Sequence, residues 1–150
     1  MSYNQLLKGR FSEPGRIYFV TMALAERELS YFSDWRCARC VVAEMRALHD
    51  EEILNSLAWV IMPDHVHWLF ELKDKMTLSA AVKRFKARSA RRVNDYLNRS
   101  GTLWQKGFYD HAIREEEDVQ GIARYIVANP LRAGLVRHIG NYPLWDAVWI

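Results

Sequence analysis

Two histidines at alternating positions, with a tyrosine and an asparagine four residues apart, are the residues of this chain best suited to chemistry. His65 and His67 lie in a strongly apolar run that predicts β-strand. Alternate side chains of a strand share one face, so both imidazoles point the same way. Tyr125 and Asn129 have the spacing of one helix face. Two imidazoles can hold a metal ion, and the four side chains together favour a metal-assisted phosphoryl-transfer site.

Each of these residues also has an ordinary structural interpretation. A histidine pair in a strand can consist of one hydrogen-bonded and one exposed sheet residue. A helical tyrosine commonly lies at the rim of a core, and asparagine before proline commonly ends a helix. The pair, however, directly follows the turn residues Pro63 and Asp64, where an apolar strand becomes polar. Strand position alone leaves metal ligation and ordinary packing both open.

A basic helix is the third candidate feature. Residues 83–92 carry six positive charges and no acid, whereas a solvated helix surface usually mixes both signs. This composition favours a phosphate-binding face. The six residues are Lys83, Arg84, Lys86, Arg88, Arg91 and Arg92. Lys8, Arg10 and Arg16 near the N-terminus could extend this face.

An aromatic segment at 103–111 mixes aromatic and polar side chains. Aromatic rings can stack on unpaired bases. Asp110 and His111 would lie close to a metal at the histidine pair if their strand neighbours the strand of the pair. Core packing and hydrogen bonding at a strand edge are the alternative.

Composition predicts one domain, spanning residues 1–150, with a substantial core, because half of the 150 residues are hydrophobic and 13% are aromatic. The net charge of +3 says little about partners.

Cys37 and Cys40 have no second cysteine pair to complete a zinc site, so we expect both cysteines to act as small packing residues. No signal peptide is visible, and no apolar run reaches the roughly 20 residues of a membrane span. We therefore expect a cytoplasmic protein without a membrane partner.

The order of predicted elements is β-α-β-β-α-β followed by a further helix. This order is the ferredoxin-like split βαβ pattern. It predicts an α+β fold in which a four-stranded antiparallel sheet carries two helices on one face, with the C-terminal helix available to cover the other. The predicted strands are 17–24, 57–62, 65–72 and 108–113, and the predicted helices are 34–49, 77–97 and 118–129.

Three motifs occur in order along the chain. They are Met-Pro-Asp-His-Val-His at 62–67, Trp-Gln-Lys-Gly-Phe-Tyr-Asp-His at 104–111, and Tyr-Ile-Val-Ala-Asn-Pro-Leu-Arg-Ala-Gly-Leu-Val at 125–136. Together they resemble the REP-associated tyrosine transposases, which belong to the HUH single-strand nucleases of the single-tyrosine transposase superfamily. The resemblance extends from about Gly9 to Val136.

The resemblance implies a role for each of the four residues. His65 and His67 match the histidine metal ligands, and Tyr125 matches the single nucleophile. Asn129 matches a polar position that helps to bind the metal and is often glutamine in related insertion-sequence transposases. The implied cofactor is Mg²⁺ or Mn²⁺. The implied reaction nicks and rejoins single-stranded DNA next to REP-type hairpins through a 5′-phosphotyrosine intermediate, which implies nucleoid association.

Two other functions remain open from the residues. A non-catalytic, ferredoxin-like domain that binds single-stranded nucleic acid would explain the basic helix and the aromatic segment. A hydrolytic metalloenzyme would hold zinc through His65, His67 and an acid such as Asp110. The sequence is compatible with a monomer or a homodimer, in which Tyr125 would serve the histidines of its own chain or those of the partner.

Overall fold

Five strands and four α-helices make up the computed structural model, which describes residues 12–114 and 117–149. The strands are β1 (Ile17–Ala23), β2 (Leu54–Met62), β3 (His65–Leu72), β4 (Tyr109–Ala112) and β5 (Trp145–Ala147). The helices are α1 (Trp35–Asp50), α2 (Leu78–Leu97), α3 (Val119–Val127) and α4 (Asn129–Arg132). Within these described ranges, no helix is both long and apolar enough to cross a bilayer.

The strands form one antiparallel sheet in the order β4-β1-β3-β2-β5. The first four follow the ferredoxin-like order, so the predicted fold class is confirmed. The predicted count of four strands is one too few. The fifth strand has only three residues, and its Trp145 lies in register with Val60 of β2. Pairing with the edge of β2, rather than a local sequence pattern, makes this segment a strand.

Helices α1 and α2 cover one face of the sheet, as predicted. Trp68 of β3 packs against Phe85 of α2, with ring centroids 5.3 Å apart. Val66 and Phe70 share this face with Trp68 because they alternate along β3, and all three are buried. Cys37 of α1 is also fully buried, and burial raises the pKa of its thiol to about 12. It therefore packs as an apolar side chain.

Helix α3 covers the opposite face, which carries the two histidines. Leu69 follows His67 on this face and is fully buried. It lies in register with Ala58 of β2, which in turn pairs with Ala147 of β5. Ala147 and Ala123 of α3 line the same groove. The C-terminal helix was predicted to be available for this face, and it occupies the side over β2 and β5.

The helix ends follow ordinary capping chemistry. The side chain of Asp34 accepts a hydrogen bond at the start of α1, and that of Thr77 does so at the start of α2, next to the predicted helix starts at 34 and 77. The predicted end of the C-terminal helix was wrong by two residues. Helix α3 ends at Val127, and α4 begins at Asn129 with Pro130 in its first turn, where the missing N–H of proline is tolerated.

Candidate active site

His65 and His67 meet on the sheet face that α3 covers. Their ring centroids are 4.7 Å apart with planes 79° to each other, and their Nε2 atoms are 3.2 Å apart. Strand β3 lies between β1 and β2, so the pair is anchored in the middle of the sheet. The expectation that both imidazoles share a face is confirmed.

The other nitrogen of each ring has its own partner. His65 Nδ1 lies 2.7 Å from Asp64 Oδ1, and Asp64 Oδ2 accepts a 2.8 Å hydrogen bond from Arg27 Nε. His67 Nδ1 lies 2.8 Å from the hydroxyl of Thr21. An ionised Asp64 can only accept, so His65 donates from Nδ1.

Burial and nearby charges keep His67 neutral at neutral pH. Burial lowers the pKa of His67 to about 4, and the nearby charges of His65, Arg132 and Arg27 lower it further. For Asp64, burial is the largest single effect and would raise its pKa. The hydrogen bonds from Arg27 and His65 nevertheless hold the pKa below its usual range. The site therefore presents a neutral His67 imidazole beside an ionised carboxylate that fixes the ring of His65.

The histidine pair fits part of a metal site. Metal–nitrogen bonds of about 2.0–2.1 Å place two neighbouring ligands about 3 Å apart when the angle at the ion is near 90°. The observed separation of 3.2 Å matches this arrangement. In residues 12–114 and 117–149, no group of three His, Cys, Asp or Glu side chains could complete the site. Further ligands would have to be amide oxygens, water or an anionic substrate.

Tyr125 lies on α3 with 58% of its surface exposed. The guanidinium of Arg132 stacks on its ring, with Cζ 3.8 Å from the ring centroid. Arg132 also donates a 2.8 Å hydrogen bond from Nη2 to the carbonyl of Tyr125. The helix of Tyr125 packs against β2, β3 and β5 on the sheet face that carries the histidine pair.

Asn129 has a structural role at the end of α3. Its amide nitrogen donates to the carbonyls of Tyr125, at 3.3 Å, and Ile126, at 3.0 Å. These carbonyls lie in the last turn of the helix, where backbone acceptors lack helical partners. The side-chain oxygen of Asn129 takes no part in these two hydrogen bonds. The amide nitrogen is thus occupied, and the oxygen is the atom available to a ligand.

A cleft of about 400 Å³ opens beside the histidine pair, on the side away from β2. Both histidines and segment 105–109 form its walls, and Arg27 and Lys106 supply positive charge. The other lining residues are Thr21, Ala23, Gln105, Gly107, Phe108 and Tyr109. An elongated anionic ligand could therefore reach the imidazoles from this side.

The basic helix does not join this site. Helix α2 lies on the opposite sheet face, and half of its predicted phosphate contacts are engaged in ion pairs. Arg88 contacts Glu51 at 2.7 Å, and Arg84 contacts the same carboxylate at 3.9 Å. Arg92 contacts the buried Glu44 at 2.5 Å. These ion pairs join α2 to α1.

The other three basic residues of α2 differ from one another. Lys86 donates to the backbone carbonyls of Gln105, at 2.9 Å, and Gly107, so it anchors the segment that lines the cleft. Lys83 and Arg91 are exposed. Among the residues the structure describes, no ion pair engages either of them. They are the members of the basic helix most accessible to a phosphate.

Among the three N-terminal basic residues that were predicted to extend the basic helix face, the structure describes only Arg16. Arg10, like Lys8, lies outside the described residues. Arg16 precedes β1 and pairs with Glu13 at 3.4 Å. It is five residues from Thr21, roughly 17 Å along a strand at about 3.4 Å per residue. Arg16 therefore lies at the far end of the sheet from the histidine pair.

The hydrolytic arrangement with Asp110 as a third ligand is wrong. Strand β4 pairs with β1 and does not neighbour β3. Asp110 lies in register with Val20, whose buried side chain faces α1 and α2, so it points away from the histidines. His111 shares the face of the histidines, but its Nε2 lies 2.9 Å from a carboxylate oxygen of Glu117.

Four residues of the site had no predicted role. Asp64 and Arg132 stand inside the recognised motifs, and the position of Asp64 directly before His65 was a usable signal. The sequence around Arg27 and Thr21 contains no such signal. Thr21 reaches His67 only because β1 and β3 pair in the register that sets these two residues opposite each other.

Comparison with known proteins assigns this chain to a class of transposases. The family model described as IS200-like transposase matches residues 17–129, more than half of the chain. The chain therefore belongs to the IS200-like transposase family, and the predicted enzyme class is confirmed.

Named relatives and a solved structure agree with this family. A Haemophilus influenzae protein, provisionally named a REP-associated tyrosine transposase, is 27% identical over 86% of this chain and 78% of its own length. The REP-associated tyrosine transposase of Escherichia coli K12 is 26% identical over 89% of this chain and 78% of its own length. A REP-associated tyrosine transposase solved with a REP hairpin has a TM-score of 0.74 at 23% identity, over 91% of this chain and 79% of that one. This last likeness confirms the fold.

Proposed function

We propose that this protein is a metal-dependent transesterase of single-stranded DNA that nicks and rejoins DNA next to REP-type hairpins. The observation that carries the proposal is the pair of Nε2 atoms 3.2 Å apart, on the sheet face that also carries the helix of Tyr125. The names of its relatives and the REP hairpin bound by its structural neighbour support the choice of substrate.

In the proposed reaction Tyr125 is the nucleophile. Its phenolic oxygen loses its proton and bonds to the scissile phosphorus. The bond from phosphorus to the 3′ oxygen breaks, and that oxygen takes up a proton to become a free 3′-hydroxyl. The 5′ side remains attached to the enzyme as a phosphotyrosine ester. This ester conserves the bond energy, so a 3′-hydroxyl can attack it and rejoin the strand.

We propose Mg²⁺ or Mn²⁺ as the cofactor, held by His65, His67 and the side-chain oxygen of Asn129. Such an ion would polarise the scissile phosphate and stabilise charge that develops on it. Nitrogen ligands suit Mn²⁺ better than Mg²⁺, which prefers oxygen. Asp64 and Thr21 orient the two rings through their Nδ1 atoms, an arrangement that fixes metal-binding histidines in other proteins.

We propose that the DNA makes two kinds of contact. The single-stranded part enters the cleft beside the histidines, where Arg27 and Lys106 supply charge. Lys83 and Arg91 contact phosphates farther along the hairpin, and the remaining basic residues of α2 act through their charge. Action on chromosomal palindromes would associate the protein with the nucleoid.

The geometry supports use of Tyr125 on the histidines of its own chain. The helix of Tyr125 packs on the sheet face of His65 and His67 within one subunit. A monomer could then be active. Mixing a His67→Ala protein with a Tyr125→Phe protein tests this. No recovery of cleavage is expected, and recovery would show that the tyrosine serves a partner chain.

Tyr125→Phe tests the reaction itself. We expect wild-type protein with Mn²⁺ to form a covalent adduct with a labelled hairpin oligonucleotide, visible as a band shift under denaturing conditions. Tyr125→Phe should bind the oligonucleotide and form no adduct. The matched control is Tyr96→Phe, which removes a phenolic hydroxyl from α2 on the other sheet face. Binding without any adduct from the wild type would instead favour the non-catalytic nucleic-acid-binding domain.

The histidine pair requires a separate test. His65→Ala and His67→Ala should keep their circular dichroism spectra and lose Mn²⁺ binding measured by calorimetry. They should also lose adduct formation. Undiminished adduct formation by either variant in the presence of a chelator would contradict the metal site.

A further inference from the structure

Arg132 packs on the ring of the proposed nucleophile. Its guanidinium plane covers the Tyr125 ring at 3.8 Å and donates one hydrogen bond to the Tyr125 carbonyl. A guanidinium has five N–H donors, so most remain available. The residue as a whole is exposed, and its charge is therefore accessible to a ligand that approaches Tyr125.

In residues 12–114 and 117–149, no carboxylate forms an ion pair with Arg132. The Arg27 guanidinium, in contrast, is bonded to Asp64 at 2.8 Å. Arg27 is thus neutralised by the protein, whereas among the described residues Arg132 is not.

The ligand set of the site adds no negative charge. Two imidazoles and an amide are neutral, so a divalent ion held by them, together with Arg132, would concentrate uncompensated positive charge. Like charges repel one another, and an anion that lies between them offsets this repulsion. A phosphodiester supplies one negative charge and oxygens for both the ion and the guanidinium.

We propose that Arg132 is a further catalytic residue, whose guanidinium binds the scissile phosphate while its plane holds the ring of Tyr125 in position for attack. This inference rests on the proposed function. It gives a single side chain two tasks, alignment of the nucleophile and neutralisation of the phosphate. Arginine suits both, because its planar group stacks on aromatic rings and bonds phosphate in a bidentate manner, and lysine matches neither geometry.

The experiment removes the charge from each side of the proposed contact in turn. The probe is a fluorescent hairpin oligonucleotide with single-stranded flanks, whose cleavage position is first mapped with wild-type protein. A second probe carries an uncharged methylphosphonate at that position. Affinities for both probes are measured in a Tyr125→Phe background, with and without Arg132→Ala. The matched control is Arg124→Ala, which removes an exposed arginine from α3 on the side facing Ala147 and Trp149.

Arg132→Ala should weaken binding of the phosphate probe by about 10-fold to 100-fold, the range for hydrogen bonds to a charged group. It should change binding of the methylphosphonate probe less than threefold. Arg124→Ala should change the affinities for the two probes by the same factor. Adduct formation is measured in protein that retains Tyr125. There, Arg132→Lys should slow adduct formation and keep part of the affinity, because lysine keeps the charge and loses the planar stack on the tyrosine ring.

Two results would overturn the assignment. One is an equal loss of affinity for both probes, which would make Arg132 a structural clamp. The other is adduct formation by folded Arg132→Ala or Arg132→Lys at the wild-type rate. Circular dichroism checks the fold of each variant. If wild-type protein itself forms no adduct, the proposed function fails, and that outcome is separate from either result for Arg132.

Discussion

Acid should destabilise the metal-free protein through His67. Its pKa is about 4 in the folded protein, against 6.5 for the free side chain. A folded-state pKa that is lowered means that the unfolded chain binds the proton first as the pH falls. The stabilising effect is therefore complete above pH 6.5 and is lost progressively between pH 6.5 and pH 4.

The size of the effect follows from the two pKa values. Linkage gives a loss of about 2 kcal/mol at pH 5 and about 3 kcal/mol at pH 4, relative to pH 7. That is a large part of the 5–15 kcal/mol or so that stabilises typical domains. It also means that protons compete little with a metal for His67 at neutral pH, because the imidazole is already unprotonated.

The assay compares urea denaturation of wild-type protein and His67→Gln at pH 7 and pH 5, both with a chelator. Other titrating groups are common to both proteins, so the difference between the two pH effects isolates His67. We expect wild-type protein to lose about 2 kcal/mol more than the variant. NMR titration of the His67 Cε1 proton should give a midpoint near 4. A midpoint above 6, or equal losses in the two proteins, would refute the burial argument.

Three other perturbations have defined outcomes. Thr21→Val should weaken Mn²⁺ binding in calorimetry by about 10-fold to 100-fold, and Thr21→Ser should not, because its hydroxyl still meets His67. Lys83→Ala should reduce the magnitude of the slope of log affinity for DNA against log salt concentration by about 0.9. Arg88→Ala should reduce it less, because Arg88 is already paired with an acid. Gly107 has a φ of 78°, so Gly107→Ala should cost about 1–2 kcal/mol of stability and reduce hairpin affinity.

Local patterns were sufficient to predict most of the fold. The apolar alternation of β1, β2 and β3 and the caps at Asp34 and Thr77 are signals within a few residues of each other. The short β5 carries no such signal, because it exists through pairing with β2. The end of α3 was misplaced by two residues because Pro130 tolerates the first turn of a new helix as well as it ends an old one.

The site was predictable only where its chemistry is local in sequence. Strand alternation brings His65 and His67 together, and the structure confirms it. The partner of His67 depends on the register of β1 against β3, which no single-strand pattern reveals. Likewise, the basic residues mark one side of α2, but helical periodicity cannot tell which face of the sheet the helix will cover.

Helix α2 and the histidines lie on opposite faces of the sheet, yet both are proposed to act on the same DNA. Segment 105–109 connects the two. Lys86 of α2 holds this segment by two backbone carbonyls, and the same segment lines the cleft that reaches the histidines. The cleft lies on the β1 and β4 side of the pair, and the tyrosine helix lies on the β2 and β5 side. A strand of DNA that passes Lys106 into the cleft would therefore have the basic helix behind it and Tyr125 ahead of it. Charge would act along this whole path, whereas the proposed contact of Arg132 involves a single phosphate. If both hold, affinity and cleavage should depend on separate sets of residues.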